Sequence, residues 1–220
     1  MNAKPTLVIG NKNYSSWSLR PWLLLRQFGV AFDEVKLPLD TPEFHARIKD
    51  YSPAGRVPVL IDGEARVWDS LAICEYANEF FLDGRGWPAD RVTRGWARSI
   101  SAEMHSGFSA LRTHLPMNTC RRGPTPAIGA DTAGDIARIR AIWREARERH
   151  AAQGPFLFGA FSIADAMYAP VALRFVSYAV ELGAPERGYV DALLALPALR
   201  DWLAEAATEP LAAEHEKTTP

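Results

Sequence analysis

The sequence predicts an α/β domain followed by an all-helical domain. Over residues 1–82, short apolar runs alternate with segments in which apolar residues recur at helical spacing. Over residues 89–220 the strand signals stop and helical patterns continue. Residues 83–88, which lie between these parts, combine two glycines, a proline and a charge pair, a composition typical of a linker.

The composition is that of an ordinary globular protein, with 48% hydrophobic and 23% charged residues. The formal net charge of -1 gives no basic excess that would favour nucleic acid. No apolar run approaches the ~20 residues that span a bilayer, and the first residues lack the apolar core of a signal peptide. The two cysteines and five histidines show no disulfide or metal-ligand spacing. We therefore expect a cytoplasmic protein without a metal that binds neither nucleic acid nor membrane.

The α/β half alternates strands and helices before it reaches a hairpin. Thr41 and Pro42 begin a helix, because threonine is a good cap and proline is tolerated in the first turn. Asp62 and Gly63, between two apolar runs, are the strongest short-range signal for a hairpin. In chain order the predicted elements are a strand at 6–10, a helix at 18–28, a strand at 30–37, a helix at 41–49, strands at 57–61 and 64–68, and a helix from 69 to about 82. Together they predict a mixed four-stranded sheet.

The second half is predicted from stripes of apolar residues at helical spacing. One stripe runs from Trp96 to Leu111 and predicts a single long helix over about 89–113. Ser162 and Asp165 have the spacing of a capping box, and the apolar helix behind them should be the core of this half. Further helices are predicted around 136–146, at 189–195 and at 198–206. The polar tail from Glu209 onward is expected to be frayed.

Three serines lie where the first strand gives way to the first helix. Ser18 can cap that helix, and Pro21 in its first turn costs little, because an N–H there would have no helical partner. Backbone donors and the positive end of the helix dipole then face Ser15 and Ser16. The stretch is therefore a candidate anion site, and a small thiolate is one candidate anion.

Four motifs, in this order and at these spacings, resemble those of the cytosolic glutathione S-transferases. The resemblance covers about residues 5–206 and is to the serine-type, zeta-like bacterial branch of that family. Each motif is weak alone, and their order strengthens them. They are the serine motif at 15–20, a Val-Pro strand start at 55–60, an acid followed by serine at 69–73, and the capping box at 162–165.

The resemblance implies a thioredoxin-like domain at 1–82 and a helical bundle domain at 89–220, usually in a homodimer. It also implies an enzyme of detoxification, in which the thiolate of its co-substrate glutathione attacks a small hydrophobic electrophile. Two alternatives stay open. One is a glutathione-dependent cis–trans isomerase of the maleylacetoacetate type, and the other is a non-catalytic protein that binds glutathione or a protein partner.

Ser15 is the catalytic residue that the resemblance implies, because the first hydroxyl of this motif hydrogen-bonds the glutathione sulfur in serine-type enzymes. The alternative for Ser15 is a plain turn or cap residue. Ser16 could take its place, and Tyr14 is disfavoured because its side chain should leave the strand in the opposite direction. Trp17 departs from the zeta pattern, which usually has a cysteine, and this weakens the isomerase alternative and glutaredoxin-type redox activity. Trp17 is expected to be a cleft wall or a packed surface aromatic.

Glutathione binding is carried over onto residues of three motifs. A cis Val57–Pro58 bond, expected by resemblance, would leave the Val57 backbone free to pair with the peptide. Ser70 would hold the γ-glutamyl carboxylate at a helix start, and Asp69 would accept from the ammonium, although both could be a simple cap. Arg56 could meet the glycine carboxylate or be a solvated charge. The full set of glutathione-binding candidates is Ser16, Trp17, Arg56, Val57, Pro58, Asp69 and Ser70.

The second, hydrophobic substrate pocket is expected along the long helix that faces the cleft in the resembling fold. The candidates are Tyr14, Glu103, Met104 and His105. A core position for Met104 is an equal alternative. Arg20 is expected to pair within the first domain and Cys74 to be inert core, while the role of Cys120, beside Arg121 and Arg122, is open.

Overall fold

Four short strands form one mixed sheet in the N-terminal half of the chain. The computed structural model describes residues 4–121 and 126–211. Strand β1 lies parallel to β2 and antiparallel to β3, which pairs antiparallel with β4, so the order is β2-β1-β3-β4. The strands are β1 (Thr6–Ile9), β2 (Asp33–Lys36), β3 (Val59–Asp62) and β4 (Ala65–Val67). The predicted sheet is confirmed, with β2 shorter than expected.

Three helices cover the two faces of this sheet. They are α1 (Ser16–Gln27), α2 (Pro42–Tyr51) and α3 (Ser70–Phe80). Side chains alternate along a strand, so Leu7 and Ile9 of β1 join the core shared with α1 and α3. Val8 points to the other face, where it packs with Phe44 and Ile48 of α2. Each face of the sheet is thereby buried by its own helices.

Within residues 91–121 and 126–211 of the C-terminal half there are six α-helices, and α7 is buried on nearly all sides. They are α4 (Arg91–Ser106), α5 (Ser109–His114), α6 (Ala130–His150), α7 (Ile163–Ser177), α8 (Ala184–Leu194) and α9 (Pro197–Ala206). Helix α7 contacts both α1 and α4, so one apolar core continues from the sheet into the helical half. The predicted capping box is present, with Ser162 N donating to Asp165 Oδ2 at 2.8 Å. No helix in the described ranges is long and apolar enough to cross a membrane.

The prediction of one helix over 89–113 is wrong, because the chain breaks between α4 and α5. Phe108 has a φ of 60°, in the left-handed region that a helix cannot contain. The Arg112 side chain donates to the carbonyls of Met104, His105 and Gly107, which ends α4. Asp135 of α6 accepts from the Leu111 backbone N–H at 2.9 Å, which satisfies the start of α5. Side-chain contacts from the nearby Arg112 and from the more distant Asp135 thus accompany the break.

Three other expectations about element ends are also wrong. The cap of α1 is Ser15, and Ser18 lies inside the helix, because the turn before the helix leaves the Ser15 hydroxyl beside the first free N–H groups. Helix α8 begins at Ala184, about five residues early, with Pro185 in its first turn. Glu209 is not frayed, since its side chain is 3% exposed and bonded to the first domain. Arg122 and the chain beyond Leu211 lie outside the described residues.

Candidate active site

Ser15 is linked by a short chain of hydrogen bonds to the end of β1. Its Oγ donates to Ser18 Oγ at 2.7 Å and accepts from the Ser18 backbone N–H at 3.4 Å. Ser18 Oγ in turn accepts from the Gly10 backbone N–H at 3.1 Å. Both hydroxyls can rotate, so an anion near Ser15 would reverse the pair, with Ser18 donating to Ser15 and Ser15 donating to the anion. The arrangement can therefore direct one polarised hydroxyl at a negative charge.

The serines line a cavity of about 480 Å³ between the two halves of the chain. Its first wall comes from the start of α1, with Tyr14, Ser15, Ser16 and Trp17. The remaining walls are more distant in sequence and are formed by Leu39, Asp40, Phe44, His45, Gly55, Arg56, Val57, Pro116, Met117, Asn118 and Arg174. This cavity therefore combines serine hydroxyls, apolar surface and the cations of Arg56 and Arg174.

Arg174 of α7 is the buried cation of this cavity and is 4% exposed, whereas Arg56 is exposed. Its Nη2 lies 3.4 Å from Ser16 Oγ, and its other donors bind the carbonyls of Leu115 and Pro170 at 2.9 and 3.2 Å. Burial and, second, the charge of Arg112 lower its pKa to about 9, so it stays a cation at neutral pH. No carboxylate in the described ranges forms an ion pair with Arg174. A bound anion would relieve the unfavourable burial of this charge.

Trp17 separates the larger cavity from a smaller one and lines both. The guanidinium of Arg20 lies 4.3 Å from its ring and that of Arg112 lies 4.6 Å from it, while His105 meets it edge-on at 5.3 Å. Two cations stacked on one indole hold the ring in place. The structure thus places Trp17 as an internal wall of the cleft, one of the two positions expected for it.

The smaller cavity has a volume of about 380 Å³ and contains most of the predicted glutathione-binding residues. The Val57–Pro58 bond is cis, as expected from the resemblance. Val57 and Arg56 line both cavities, so they stand at the passage between them. The complete lining is Trp17, Ala54, Arg56, Val57, Pro58, Trp68, Asp69, Ser70 and His105. An extended peptide could run from one cavity to the other along Val57.

Asp69 and Ser70 lie at the start of α3 and line the smaller cavity together with His105. One carboxylate oxygen of Asp69 caps the helix, accepting from the Leu71 N–H at 3.1 Å, and the other lies 2.9 Å from His105 Nε2. Ser70 is buried, and its Oγ accepts from Arg20 at 3.5 Å. Arg20 therefore contacts Ser70 and Trp17, with no acidic partner among the described residues. Burial, then the charges of Arg112 and Arg174, lower the pKa of Arg20.

Glu103 and Met104, which were predicted for the hydrophobic substrate pocket, and the two cysteines lie outside both cavities. Glu103 accepts two hydrogen bonds from Arg138, at 2.7 and 2.9 Å, and Met104 is fully buried in the core, so neither lines the two cavities. Cys74 is buried, and burial raises the pKa of its thiol well above the usual range. Cys120 is partly exposed, and its Sγ lies 3.7 Å from the Ala206 carbonyl. In the described ranges no group of three or more His, Cys, Asp or Glu residues could hold a metal ion.

Two arginines of the site were not predicted from the sequence. Arg174 contacts Ser16 across 158 residues, and Arg112 contacts Trp17 across 95, so no local motif connects them. One signal was available for Arg174. Arg174 is a single cation on a helix whose other residues are almost wholly apolar. A charged residue buried there requires polar partners. Arg112 has no comparable signal, because it lies among other polar residues.

Both halves of the chain match family models. Residues 14–79 match the glutathione S-transferase N-terminal domain, and residues 94–205 match the C-terminal domain of the same family. A probable maleylacetoacetate isomerase of Caenorhabditis elegans is 33% identical over 111 residues, which is 50% of each chain. A dichloromethane dehalogenase of Methylorubrum extorquens is 44% identical over 62 residues, or 27% of this chain and 21% of that one. The matches thus span half or less of these relatives.

Solved structures show the same fold. A holo maleylpyruvate isomerase, described as a bacterial zeta-class glutathione S-transferase, has a TM-score of 0.73 and 22% identity over 94% of this chain and 100% of that one. A Burkholderia glutathione transferase homolog with bound glutathione has a TM-score of 0.72, with 22% identity over the same shares.

Proposed function

The chain belongs to the glutathione S-transferase family, and from this premise we propose that it is a glutathione transferase. In the proposed reaction the thiol of glutathione gives its proton to solvent, and the thiolate attacks a small hydrophobic electrophile. A sulfur–carbon bond forms, and the leaving group departs with its electron pair. The catalytic residue is Ser15, with Ser16 as the neighbouring hydroxyl.

The hydrogen-bond chain at the start of α1 is the observation that carries this proposal. A free thiol has a pKa of about 8.5, and a helix N-terminus or nearby cations lower it. Here the Gly10 N–H supports Ser18, and Ser18 can support Ser15, whose hydroxyl then points at the sulfur. Donors held by the fold stabilise an anion without reorganising when it forms. The cavity beside Ser15 has room for the sulfur and for an electrophile.

The smaller cavity supports glutathione as the thiol. The backbone of Val57 would pair with the peptide of glutathione in the manner of an added strand. The N–H and hydroxyl of Ser70 at the start of α3 would hold the γ-glutamyl carboxylate, and the buried Arg20 behind Ser70 favours a negative charge there. Asp69 would accept from the ammonium in exchange for its contact with His105. Arg56, which lines both cavities, would meet the glycine carboxylate.

A second candidate, glutathione-dependent cis–trans isomerisation, is favoured by Arg174. In that reaction the thiolate adds to a double bond, rotation follows, and the thiolate leaves again. The substrates of such enzymes carry carboxylates, and Arg174 offers a buried cation beside Ser16 without an ion-pair partner in the described ranges. A relative named as a maleylacetoacetate isomerase supports the same reading. Trp17 in place of the usual cysteine counts against it.

The test is glutathione binding followed by turnover of a panel of electrophiles. Calorimetry should show binding, and ultraviolet absorbance of the complex should show a thiolate below pH 8.5. A neutral aryl halide reports conjugation, and maleylacetoacetate reports isomerisation. Binding without turnover of any member would support a non-catalytic protein. Absence of binding would refute the proposed function.

The quaternary state and location complete the proposal. Trp68 and Phe80, at the end of β4 and on α3, are 45% and 58% exposed, which is large for isolated aromatic rings. We expect these two rings to be covered in a homodimer in the cytoplasm, where the protein would act in detoxification. Light scattering that gives the monomer mass of 24.4 kDa at micromolar concentration would contradict the dimer.

A further inference from the structure

The loop that leads to Ser15 is held by the far end of the chain. Lys12 and Asn13 have four backbone polar groups, and each is bonded to a residue of the C-terminal half. We propose that this contact, which we call the C-terminal clasp, sets the position of Ser15, and that Glu209 is its positioning residue. The inference rests on the proposed function, in which Ser15 activates the thiol.

Glu209 makes the central contact of the clasp. Its Oε1 accepts from the Lys12 N–H at 3.0 Å and its Oε2 accepts from the Asn13 N–H at 3.1 Å, so one carboxylate bridges two successive amides. Lys36 donates to the same carboxylate at 2.9 Å. The Glu209 side chain is 3% exposed, although the segment that carries it follows the last helix. Charge-assisted hydrogen bonds of this kind are stronger than neutral ones.

The two carbonyls of the loop are bound as well. Trp202 of α9 donates its indole N–H to the Lys12 carbonyl at 2.9 Å. The Thr119 N–H donates to the Asn13 carbonyl at 3.4 Å, and the Thr119 hydroxyl donates to Asn13 Oδ1 at 2.8 Å. Every backbone donor and acceptor of these two residues is therefore used by a partner more than 100 positions away.

The buried side chain of Lys12 also anchors the loop. It is buried and lies 4.9 and 5.4 Å from the rings of Trp22 and Trp202. It also pairs with Glu34 at 3.0 Å and with Glu205 of α9. The ammonium thus ties α1, β2 and α9 together, but it does not fix the direction of the backbone. The backbone itself is held by Glu209 at its two N–H groups and by Trp202 and Thr119 at its two carbonyls.

The clasp reaches Ser15 through one tight turn. The carbonyl of Asn11 accepts from the N–H groups of Tyr14 and Ser15, at 3.3 and 2.8 Å, so residues 11–15 move as a unit. Lys12 and Asn13 are the middle of that turn. A shift of the clasp therefore shifts the Ser15 hydroxyl relative to the sulfur, and displacements of about 1 Å can cost 10²-fold in rate.

The experiment compares Glu209→Gln and Glu209→Ala with the parent and with Glu205→Gln. The amide of Glu209→Gln turns a donor toward one of the two backbone N–H groups, so this variant disrupts the bridge while keeping the size of the side chain. Glu205→Gln is the matched control, because Glu205 also contacts Lys12 but binds no loop amide. Three quantities are measured, namely the thiol pKa of bound glutathione from thiolate absorbance, kcat, and the glutathione Kd.

Both Glu209 variants should raise the bound thiol pKa and lower kcat by roughly tenfold, with a nearly unchanged Kd, because the peptide contacts lie in the smaller cavity. Glu205→Gln should match the parent in both thiol pKa and kcat. Glu209→Asp, which keeps both acceptors on a shorter stem, should recover part of the loss. Folding of each variant is checked by thermal denaturation.

Two results separate the failure of this inference from that of the proposed function. If the parent binds glutathione as a thiolate and the Glu209 variants melt earlier but keep its thiol pKa and kcat, the clasp is structural only and the inference is wrong. An equal alkaline shift in Glu205→Gln would also overturn it, since charge near Lys12 would then be the cause. A parent that forms no thiolate refutes the proposed function itself.

Discussion

The smaller and the larger cavity differ in where their walls come from in the sequence. The smaller one is built from the first 70 residues and His105, so nearly all of it belongs to the N-terminal domain. The larger one combines Ser15 and Ser16 with Met117, Asn118 and Arg174 from the helical half. In the proposed function, glutathione recognition therefore depends mainly on one domain, whereas thiol activation and electrophile binding depend on how the two halves meet. Substitutions in the smaller cavity should then change glutathione affinity, and substitutions in the larger cavity should change turnover.

The largest effect is expected at Arg174. Arg174→Met removes the buried cation of the larger cavity, and hydrogen bonds to charged groups contribute about 1.5–3 kcal/mol. For an electrophile that carries a carboxylate, kcat/KM should fall by roughly 10- to 100-fold. Turnover of a neutral aryl halide should change far less.

Arg174→Lys provides the comparison for that prediction, because it keeps the charge but loses the planar fork. It should recover part of the activity with the carboxylated electrophile. Equal losses for charged and neutral electrophiles in both variants would show that Arg174 only supports the fold through Leu115 and Pro170.

A smaller loss is expected for Ser15→Ala. Removal of one donor in well-studied oxyanion sites costs about 2.7–4 kcal/mol, and here the helix N-terminus remains, so we expect about 2 kcal/mol in kcat/KM. The pKa of the bound thiol should rise, and the pH–rate profile should shift in the alkaline direction with it. Thiolate absorbance against pH is the measurement, and glutathione affinity should change little.

Ser16→Ala is the matched control for Ser15→Ala and should do less. If Ser16→Ala abolishes activation while Ser15→Ala changes nothing, the two serines exchange roles. If neither serine matters, Tyr14 or the backbone donors of α1 carry the activation.

Ser70→Ala should weaken glutathione binding and leave the chemistry of the bound complex intact. Loss of a hydroxyl that meets a carboxylate costs about 1–3 kcal/mol, and the Ser70 N–H remains in place, so we expect the lower part of this range. Calorimetry checks the affinity, and kcat at saturating glutathione should match the parent. An unchanged affinity in a folded variant would remove Ser70 from the site.

The smallest effect is expected for Glu103→Gln. Glu103 lies outside both cavities, in an ion pair with Arg138 at the surface, and such pairs contribute about 0–1 kcal/mol. Denaturant unfolding should show a small loss of stability, with kcat and KM unchanged for every electrophile. A clear change in electrophile preference would mean that Glu103 does reach the second substrate.

The fold could be predicted wherever local patterns decide it. The Asp62–Gly63 turn, the Thr41 cap and the apolar runs of the strands are short-range signals, and the sheet follows from them. The α4–α5 break could not be predicted, because the apolar stripe continues through Gly107 and Phe108. That break depends on Arg112 and Asp135, which act on backbone groups from outside the stripe.

The residues of the candidate site also fall into those that local motifs predict and those that only the folded chain brings together. Ser15, Val57 and Ser70 lie in motifs whose residues are close in sequence, and they could be named from those motifs. Arg174 and Glu209 meet the first domain only after the chain has folded. The apolar helix around Arg174 marks it as unusual but does not identify its partner, and no sequence pattern indicates the contact of Glu209.

The C-terminal clasp also has a consequence for the order in which the protein is made. Synthesis proceeds from the N-terminus, and domains fold as they emerge from the ribosome. The sheet and the Ser15 loop are completed early, yet the amides of Lys12 and Asn13 have no carboxylate until Glu209 is translated. A nascent chain can therefore have its thioredoxin-like domain assembled while the loop before Ser15 is still hydrated and unfixed. The proposed activation of the thiol by Ser15 would therefore be complete only after Glu209 has been synthesised.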